Sequence, residues 1–369
     1  MRHDFTRRGA DIANTQLSPL TNRMRRFPGT LVRLIALTAF VCVLVVIGLA
    51  LWNVSVVRWE QAHIVVPGSF YRIEGRQMHL YCVGSGSPTI VIEAGIGADW
   101  LGWQIVQPRL ANLTRVCTYD RAGLGWSEPQ ARPRDAEAVV RQLHALLDEA
   151  KVRRPMVLVG HSGGGFFVRE YAREFPAEVA GVVLVDSTSP QQIDELPGFR
   201  AGYEADKRSM SRDLWIDRLR VWSGLERLLG NCHDTPGKGL GGFANLFNAK
   251  TCRPEYVDTD FGEYRDFETS AHEAARLTTL GNKPLLVLSR DPATINPGMT
   301  SNGIAGLKIW DKEQELLKSL SPESWRLIAR GSGHKIYQDR PDVVCQEITR
   351  MIEFLRGGPQ PPFGTTRTE

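Results

Sequence analysis

The pattern of apolar and polar positions begins with one long apolar segment. Residues 34–52 form a run of 19 positions without a charged side chain. At about 1.5 Å per residue a helix of this length covers roughly 28 Å, which matches the hydrocarbon thickness of a bilayer. A buried helix of a soluble core is disfavoured, because such helices rarely run this long without a polar face. The sequence therefore predicts a transmembrane anchor over residues 34–54.

Charge on either side of this segment indicates its orientation. Residues 1–33 contain seven arginines against two aspartates, whereas the first charges after the segment, Arg58 and Glu60, balance each other. This bias predicts a cytoplasmic basic tail over residues 1–33 and an extracytoplasmic C-terminal domain. A secreted protein with a cleaved signal peptide is the alternative, although the arginine-rich stretch is longer than usual for a signal.

After the anchor, short apolar runs alternate with amphipathic segments. The predicted strands are Phe70–Ile73, Met78–Val83, Pro88–Ile92, Arg115–Tyr119, 156–160, 181–185, 284–288 and Trp325–Ala329. Helical periodicity is clearest in Asp135–Ala150 and Pro341–Leu355. This alternation predicts an α/β fold with a mostly parallel, doubly wound sheet.

The strand rhythm is interrupted once. Residues 188–283 show helices and loops only, which predicts an inserted helical cap within a core formed by residues 65–187 and 284–357. The Pro- and Thr-rich residues 358–369 are predicted to be a disordered tail.

Ser162 is the candidate nucleophile. It is the central residue of Gly160-His161-Ser162-Gly163-Gly164, which follows a buried strand and precedes an amphipathic helix. A serine in a G-x-S-x-G turn between strand and helix is held on a sharp turn with its hydroxyl exposed.

A serine hydroxyl needs a base and a carboxylate that orients this base. Both follow the nucleophile in proteins with such a turn. His334, in a glycine-rich loop before the last helix, is the predicted base. Asp291, directly after the strand that leads back from the cap, is the preferred acid, and Asp186, at the end of the preceding strand, is the alternative acid.

The anion that develops during acyl transfer requires two backbone N–H donors. Gly163, next to the nucleophile, is predicted to supply one. The amide of Ile96, within the glycine-rich loop that follows the strand Pro88–Ile92, is predicted to supply the other.

Five motifs in this order give the chain a family resemblance: EAGIGADW, YDRAGLGWS, GHSGGG, LLVLSRD and GSGHKI. Over residues 65–357 the sequence resembles bacterial α/β-hydrolases related to esterases, lipases and proline-iminopeptidase-like proteins, which carry a helical cap. Many of these relatives place the acid a residue or two beyond the position of Asp291. The loop that contains Asp120 and Arg121 is expected to be structural.

The leading functional hypothesis is hydrolysis of a small, hydrophobic carboxylic ester without metal or organic cofactor. An amide hydrolase of the iminopeptidase type is the alternative, since acidic cap residues could bind a free amine: Glu204, Asp206, Glu255, Asp258 and Asp260. An inactive binding protein of the same fold is a third hypothesis. Nucleic acid is not an expected partner, because the chain after residue 33 is close to neutral.

The cysteines divide into two groups. Cys82 and Cys117 lie in apolar strands and are interpreted as small buried residues. Cys232 and Cys252 lie in polar, loop-rich sequence and are predicted to form a disulfide, because an extracytoplasmic compartment is oxidising.

Overall fold

The computed structural model describes residues 29–130, 133–196, 198–232, 240–251, 253–295 and 301–369. The described strands are β1 Ser69–Ile73, β2 Arg76–Val83, β3 Thr89–Glu93, β4 Val116–Tyr119, β5 Met156–His161, β6 Val179–Val185, β7 Leu285–Arg290, β8 Ser324–Ala329 and β9 Thr366–Thr368. They form one sheet in the order β1-β2-β4-β3-β5-β6-β7-β8-β9. Only the pairs β1–β2 and β2–β4 are antiparallel. The predicted mostly parallel α/β sheet is confirmed.

The helices cover both faces of this sheet. Their bounds are α1 Gly29–His63, α2 Gln107–Leu110, α3 Ala136–Glu149, α4 Gly164–Glu174, α5 Gln192–Glu195, α6 Phe199–Trp222, α7 Leu225–Leu228, α8 Ala244–Thr251, α9 Pro254–Arg265, α10 Phe267–Ala275, α11 Ser301–Leu317, α12 Ile336–Asp339 and α13 Pro341–Leu355. Successive residues of β5 point to opposite faces: Leu158 packs in one apolar cluster with α3 and α4, and Val157 packs in another with α13.

Parallel strands place all their carboxyl ends at one edge of the sheet. The segments that follow β3, β5, β6, β7 and β8 therefore meet at this edge. Ser162 follows β5, Asp186 follows β6, and His334 lies in the loop after β8. The topology alone thus brings three of the predicted site residues to the same edge.

The described part of the segment between β6 and β7 contains the helices α5–α10 and no strand. We refer to residues 188–283 as the helical insertion. It packs on the core through α10, which contacts α3 and α4: the rings of Phe166 and Phe267 lie 5.2 Å apart. The insertion is therefore held directly over the helix that follows Ser162.

Helix α1 contains the apolar run 34–52 and is long and apolar enough to cross a membrane. It continues beyond the predicted boundary at residue 54, as far as His63, and its last turns contact the helical insertion. Asn53 donates to the carbonyl of Val221 at 3.0 Å, and Glu60 pairs with Arg227 at 2.7 Å. Leu49 is the first residue of the compact unit that extends to Glu369.

The predicted disorder of residues 358–369 is wrong. Thr366–Thr368 form β9, which pairs with β8 in parallel. Phe363 anchors this segment, since its ring lies 5.7 Å from the ring of Trp325 and 5.3 Å from that of Phe354. The strand pairing and these ring contacts hold a segment whose composition suggests disorder.

The interpretation of Cys82 and Cys117 as unpaired buried residues is also wrong. They are directly opposite each other on the antiparallel strands β2 and β4 and form a disulfide, with their Cα atoms 4.0 Å apart. Cys232 is buried and disulfide-bonded. Its predicted partner Cys252 lies outside the described residues, so that pairing stays a prediction.

Candidate active site

Ser162 occupies a sharp turn between β5 and α4. Its φ of +52° lies in the left-handed region, which is costly for a residue with a side chain. Glycines on either side permit the turn: a Cβ at Gly160 would lie 2.7 Å from the side chain of Val168, and one at Gly164 would lie 2.6 Å from the carbonyl of Ala94. The local sequence therefore fixes the strained position of Ser162.

His334 and Asp186 are in direct contact. Nδ1 of His334 donates to Oδ2 of Asp186 over 2.6 Å. Asp186 is fully buried and has a φ of +42°, whereas the His334 side chain is about one-third exposed. This bond leaves Nε2 as the imidazole atom that can accept a proton.

Three further groups of the described residues donate to the carboxylate of Asp186. The backbone N–H and Nε of Arg290 donate at 3.2 and 2.7 Å, and Nε1 of Trp310 donates at 2.9 Å. Burial alone would raise the pKa of Asp186, but the hydrogen bond from His334 and the charge of Arg290 outweigh it, and the pKa is lowered. Asp186 is therefore ionised at neutral pH.

Asp291, the preferred acid, is not in contact with His334. Its carboxylate accepts from the backbone N–H groups of Ala293 at 2.9 Å and Gly331 at 2.8 Å, so it organises two turns. Successive residues of an extended segment point to opposite sides, and β7 directs Arg290, not Asp291, toward the imidazole. The preferred assignment is corrected, and Asp186 is the carboxylate that the structure brings to His334.

His161 fixes the backbone of the His334 loop. Its Nε2 donates to the carbonyl oxygen of His334 at 3.0 Å, and the two rings lie 4.7 Å apart. Burial, together with the nearby His334, lowers the pKa of His161 to about 3, so the ring is neutral. His161 is thus a structural neighbour of the turn.

Ile96, Ser162 and His334 line one cavity of about 340 Å³. A Cβ at Gly163 would lie 3.7 Å from the backbone N of Ile96, so the two predicted donor residues are adjacent. Within the described residues, neither of these two amides donates a hydrogen bond. Both N–H groups are therefore available to a ligand.

A buried ion cluster supports the loop that contains Ile96. Arg121 donates to the carbonyls of Ala94 at 2.8 Å and Gly95 at 2.6 Å, and it pairs with Glu93 and with Glu263 of the helical insertion. The sequence predicted a structural loop around Arg121 but gave no indication of its partners, because they are distant in the chain. The cluster couples the insertion to the Ile96 loop.

Asp260 is the one member of the predicted acidic patch that lines the cavity with Ser162. Its Oδ1 lies close over Gly97, where a Cβ would be 2.0 Å away. Within the described residues its carboxylate accepts no hydrogen bond. Burial, with a smaller effect of Glu263, raises the pKa of Asp260 to about 6.

Comparisons with known proteins agree with this architecture. A family model described as "alpha/beta hydrolase fold" matches residues 88–229, which include Ser162 and Asp186. The uncharacterized protein YqjL of Bacillus subtilis is 26% identical over 276 residues, covering 74% of this chain and 87% of that protein. An AB hydrolase superfamily protein of Gibberella zeae is 23% identical over 298 residues, covering 73% and 87%.

Among solved structures, a thermophilic esterase from Thermogutta terrifontis aligns with a TM-score of 0.55 and 19% identity, over 78% of this chain and 99% of the esterase. The structural similarity covers the whole fold, but a sequence identity of 19% gives no information about the substrate.

Two other curated relatives are longer proteins, of which this chain covers 36% and 44%.

Proposed function

We propose that this chain, which has the α/β-hydrolase fold, is a serine hydrolase that cleaves a carboxylic ester. The observation that carries the proposal is the bond of 2.6 Å between His334 and Asp186 at a cavity that Ser162 also lines. A buried, ionised carboxylate beside a histidine near a strained serine is the arrangement that nucleophilic acyl transfer requires.

In the proposed reaction, Nε2 of His334 accepts the proton of the Ser162 hydroxyl as its Oγ attacks the ester carbonyl. Asp186 holds the imidazole in the required tautomer and stabilises the imidazolium. The amides of Ile96 and Gly163 stabilise the tetrahedral oxyanion. His334 then protonates the leaving alcohol, and water, activated by the same imidazole, hydrolyses the acyl-enzyme.

Labelling with a fluorophosphonate probe tests the nucleophile. The wild-type protein should label and Ser162→Ala should not, while Ser211→Ala, which removes an exposed serine hydroxyl on α6, should label like wild type. Turnover of p-nitrophenyl esters should follow the same pattern. Undiminished labelling of a folded Ser162→Ala protein would exclude Ser162, and no labelling of any variant would favour an inactive binding protein.

A second candidate is hydrolysis of an amide whose substrate carries a free amino group. The specific observation in its favour is Asp260, a carboxylate in the cavity without a hydrogen bond from any described residue. An ammonium group near Ser162 would find its counter-ion there. Comparing kcat/KM for N-terminally free and acetylated aminoacyl anilides decides between the candidates: a preference for the free amine that Asp260→Asn abolishes would support the amidase.

The proposed location is the cell membrane, with α1 as anchor and the hydrolase domain outside the cytoplasm. The apolar run 34–52 and the arginine-rich residues before it support the anchor and its orientation. The disulfide Cys82–Cys117 supports an oxidising compartment. A C-terminal alkaline phosphatase fusion should be active, whereas a fusion active only with a cytoplasmic reporter would contradict this topology.

A further inference from the structure

One corner of the helical insertion carries a concentration of exposed apolar side chains. Within 15 residues of sequence the following side chains are 40–63% exposed: Trp215, Ile216, Leu219, Trp222, Leu228 and Leu229. Exposed apolar residues that occur singly are normal on a protein surface, but a cluster indicates an interaction site. We call these six residues the apolar corner.

Helix α6 has two distinct faces in this region. Trp215, Leu219 and Trp222 are spaced by four and three residues and therefore lie on one outward stripe. Arg208 and Arg212 continue this stripe toward the start of the helix with the same spacing, and both are exposed. Exposed tryptophans suit a membrane interface, and arginines beside them can extend their charged ends toward the lipid headgroups.

The apolar corner is also the place where α1 meets the insertion. Asn53 bonds to Val221, one residue before Trp222, and Arg227, one residue before Leu228, pairs with Glu60. Gly224 permits the close approach, since a Cβ there would lie 3.0 Å from the carbonyl of Leu49. These contacts all lie within the compact unit that begins at Leu49.

We infer that the apolar corner lies in the interface of the membrane that the anchor crosses, with the lipid bilayer as its partner. The inference rests on the proposed anchor. If residues 34–52 span the bilayer, Asn53 is at the membrane surface by covalent connection, and Val221 and Trp222 are held there with it. Tryptophan is enriched at this depth because its ring is amphipathic.

The opposite face of α6 connects this location with the proposed reaction. Met210, Leu214 and Val221 line a cavity of about 390 Å³ between α6 and α9. Tyr256 and Asp260 line both this cavity and the one that contains Ser162. On this inference α6 contacts lipid on one side and lines the cavity on the other. An ester that resides in the membrane could therefore pass from the lipid to the cavity, and we assign amphiphilic esters as the substrate class.

Fluorescence quenching by brominated lipids tests the membrane contact without reference to activity. The full-length protein is reconstituted in vesicles of phosphatidylcholine and phosphatidylglycerol, with and without dibrominated phosphatidylcholine. A bimane label is placed at Leu219→Cys in a background with Cys42→Ala and Cys345→Ala, the two cysteines that are free among the described residues. Arg141→Cys, an exposed position on α3, is the matched control in the same background.

Native Cys42, labelled in a Cys345→Ala protein, reports on the anchor itself. We expect strong quenching at Cys42, several-fold greater quenching at position 219 than at position 141, and little at position 141. If Cys42 is quenched but positions 219 and 141 are equally and weakly quenched, the membrane contact of the apolar corner is contradicted and the anchor is not. Absence of quenching at Cys42 would overturn the anchor and the corner together, without bearing on the hydrolase proposal.

A kinetic measurement tests the substrate class. The variant Trp215→Ser/Leu219→Ser/Trp222→Ser should lose kcat/KM several-fold toward a long-chain monoacyl ester presented in vesicles, while turnover of a water-soluble acetate ester stays unchanged. An equal loss toward both esters, or no loss toward the vesicle ester, would contradict delivery from the membrane. Failure of wild type to hydrolyse either ester would instead contradict the proposed function.

Discussion

Arg290 donates a hydrogen bond of 2.7 Å from its Nε to Oδ2 of Asp186, the same oxygen that accepts from His334. Its Nη2 also lies 3.1 Å from Nδ1 of His334. Because Nδ1 carries a hydrogen when it donates to Asp186, it does not accept from Nη2, and once His334 takes up a proton in the proposed reaction, the guanidinium and the imidazolium share one carboxylate. The charge of Asp186 is thus partly compensated before any proton reaches His334.

Removal of this cation is expected to weaken catalysis through Asp186. The charge of Arg290 is one of the causes that lower the pKa of Asp186, and its Nε donates to Oδ2. Arg290→Gln should therefore lower kcat several-fold, whereas Arg290→Lys, which keeps the charge, should stay closer to wild type. An unchanged kcat in a folded Arg290→Gln protein would show that the arginine has only a packing role.

Asparagine variants distinguish the roles of the two aspartates, Asp186 and Asp291. Asp186→Asn should lower kcat on the order of 10⁴-fold, because it loses the correct tautomer and the stabilisation of the imidazolium. Asp291→Asn should stay within a few-fold of wild type, since among the described residues the Asp291 carboxylate accepts only from backbone amides of turns. Thermal melts must accompany the assays, and comparable activity of the two variants would contradict the assignment of Asp186.

Asp260 is expected to make stability depend on pH. Its pKa is raised in the folded protein to about 6, so the protonated form favours folding, and this stabilisation is lost as the pH rises from about 4 to 6. At pH 7.5 Asp260→Asn should therefore be more stable than wild type, by up to about 3 kcal/mol. Chemical denaturation at pH 7.5 and pH 4 measures the difference, which should shrink at the lower pH.

The disulfide Cys82–Cys117 should contribute substantially to the free energy of unfolding. It closes a loop with a sequence separation of 35, for which the reduced entropy of the unfolded chain corresponds to about 4 kcal/mol. Cys82→Ala/Cys117→Ala should lose stability of this order in urea titrations. Cys345→Ala, which removes a free thiol, is the control and should lose much less.

Local features of the site could be predicted from the sequence, whereas contacts between distant segments could not. The turn at Ser162 follows from a strand, two glycines and a helix that are adjacent in the chain. The acid could not be assigned this way, because β6 and β7 end at the same edge and both offer an aspartate. Only the direction of the side chains at the end of β7 decides that Arg290, not Asp291, reaches the imidazole.

The cysteine pairing shows the same limit. Cys82 and Cys117 bond because β4 pairs directly with β2 in a register that brings these two residues opposite each other. The pairing of β2 with β4 depends on the order of the strands in the sheet, which the sequence does not show. The apolar surroundings of the two cysteines suggested only that both are buried and unpaired. The ion cluster around Arg121 was missed for a related reason, since Glu263 is distant in the chain from Arg121.

The position of the Cys82–Cys117 bond has a mechanical consequence for an anchored protein. The part of the tension on α1 that its contacts with the helical insertion do not take up would reach the sheet through β1 and β2. Antiparallel edge strands separate from their neighbours one hydrogen bond at a time. Such peeling would stop at Cys82, where a covalent bond ties β2 to β4. Along this route, lateral drag on the anchor could detach the edge hairpin, but the load would not pass beyond the Cys82–Cys117 bond to the strands that carry Ser162 and Asp186.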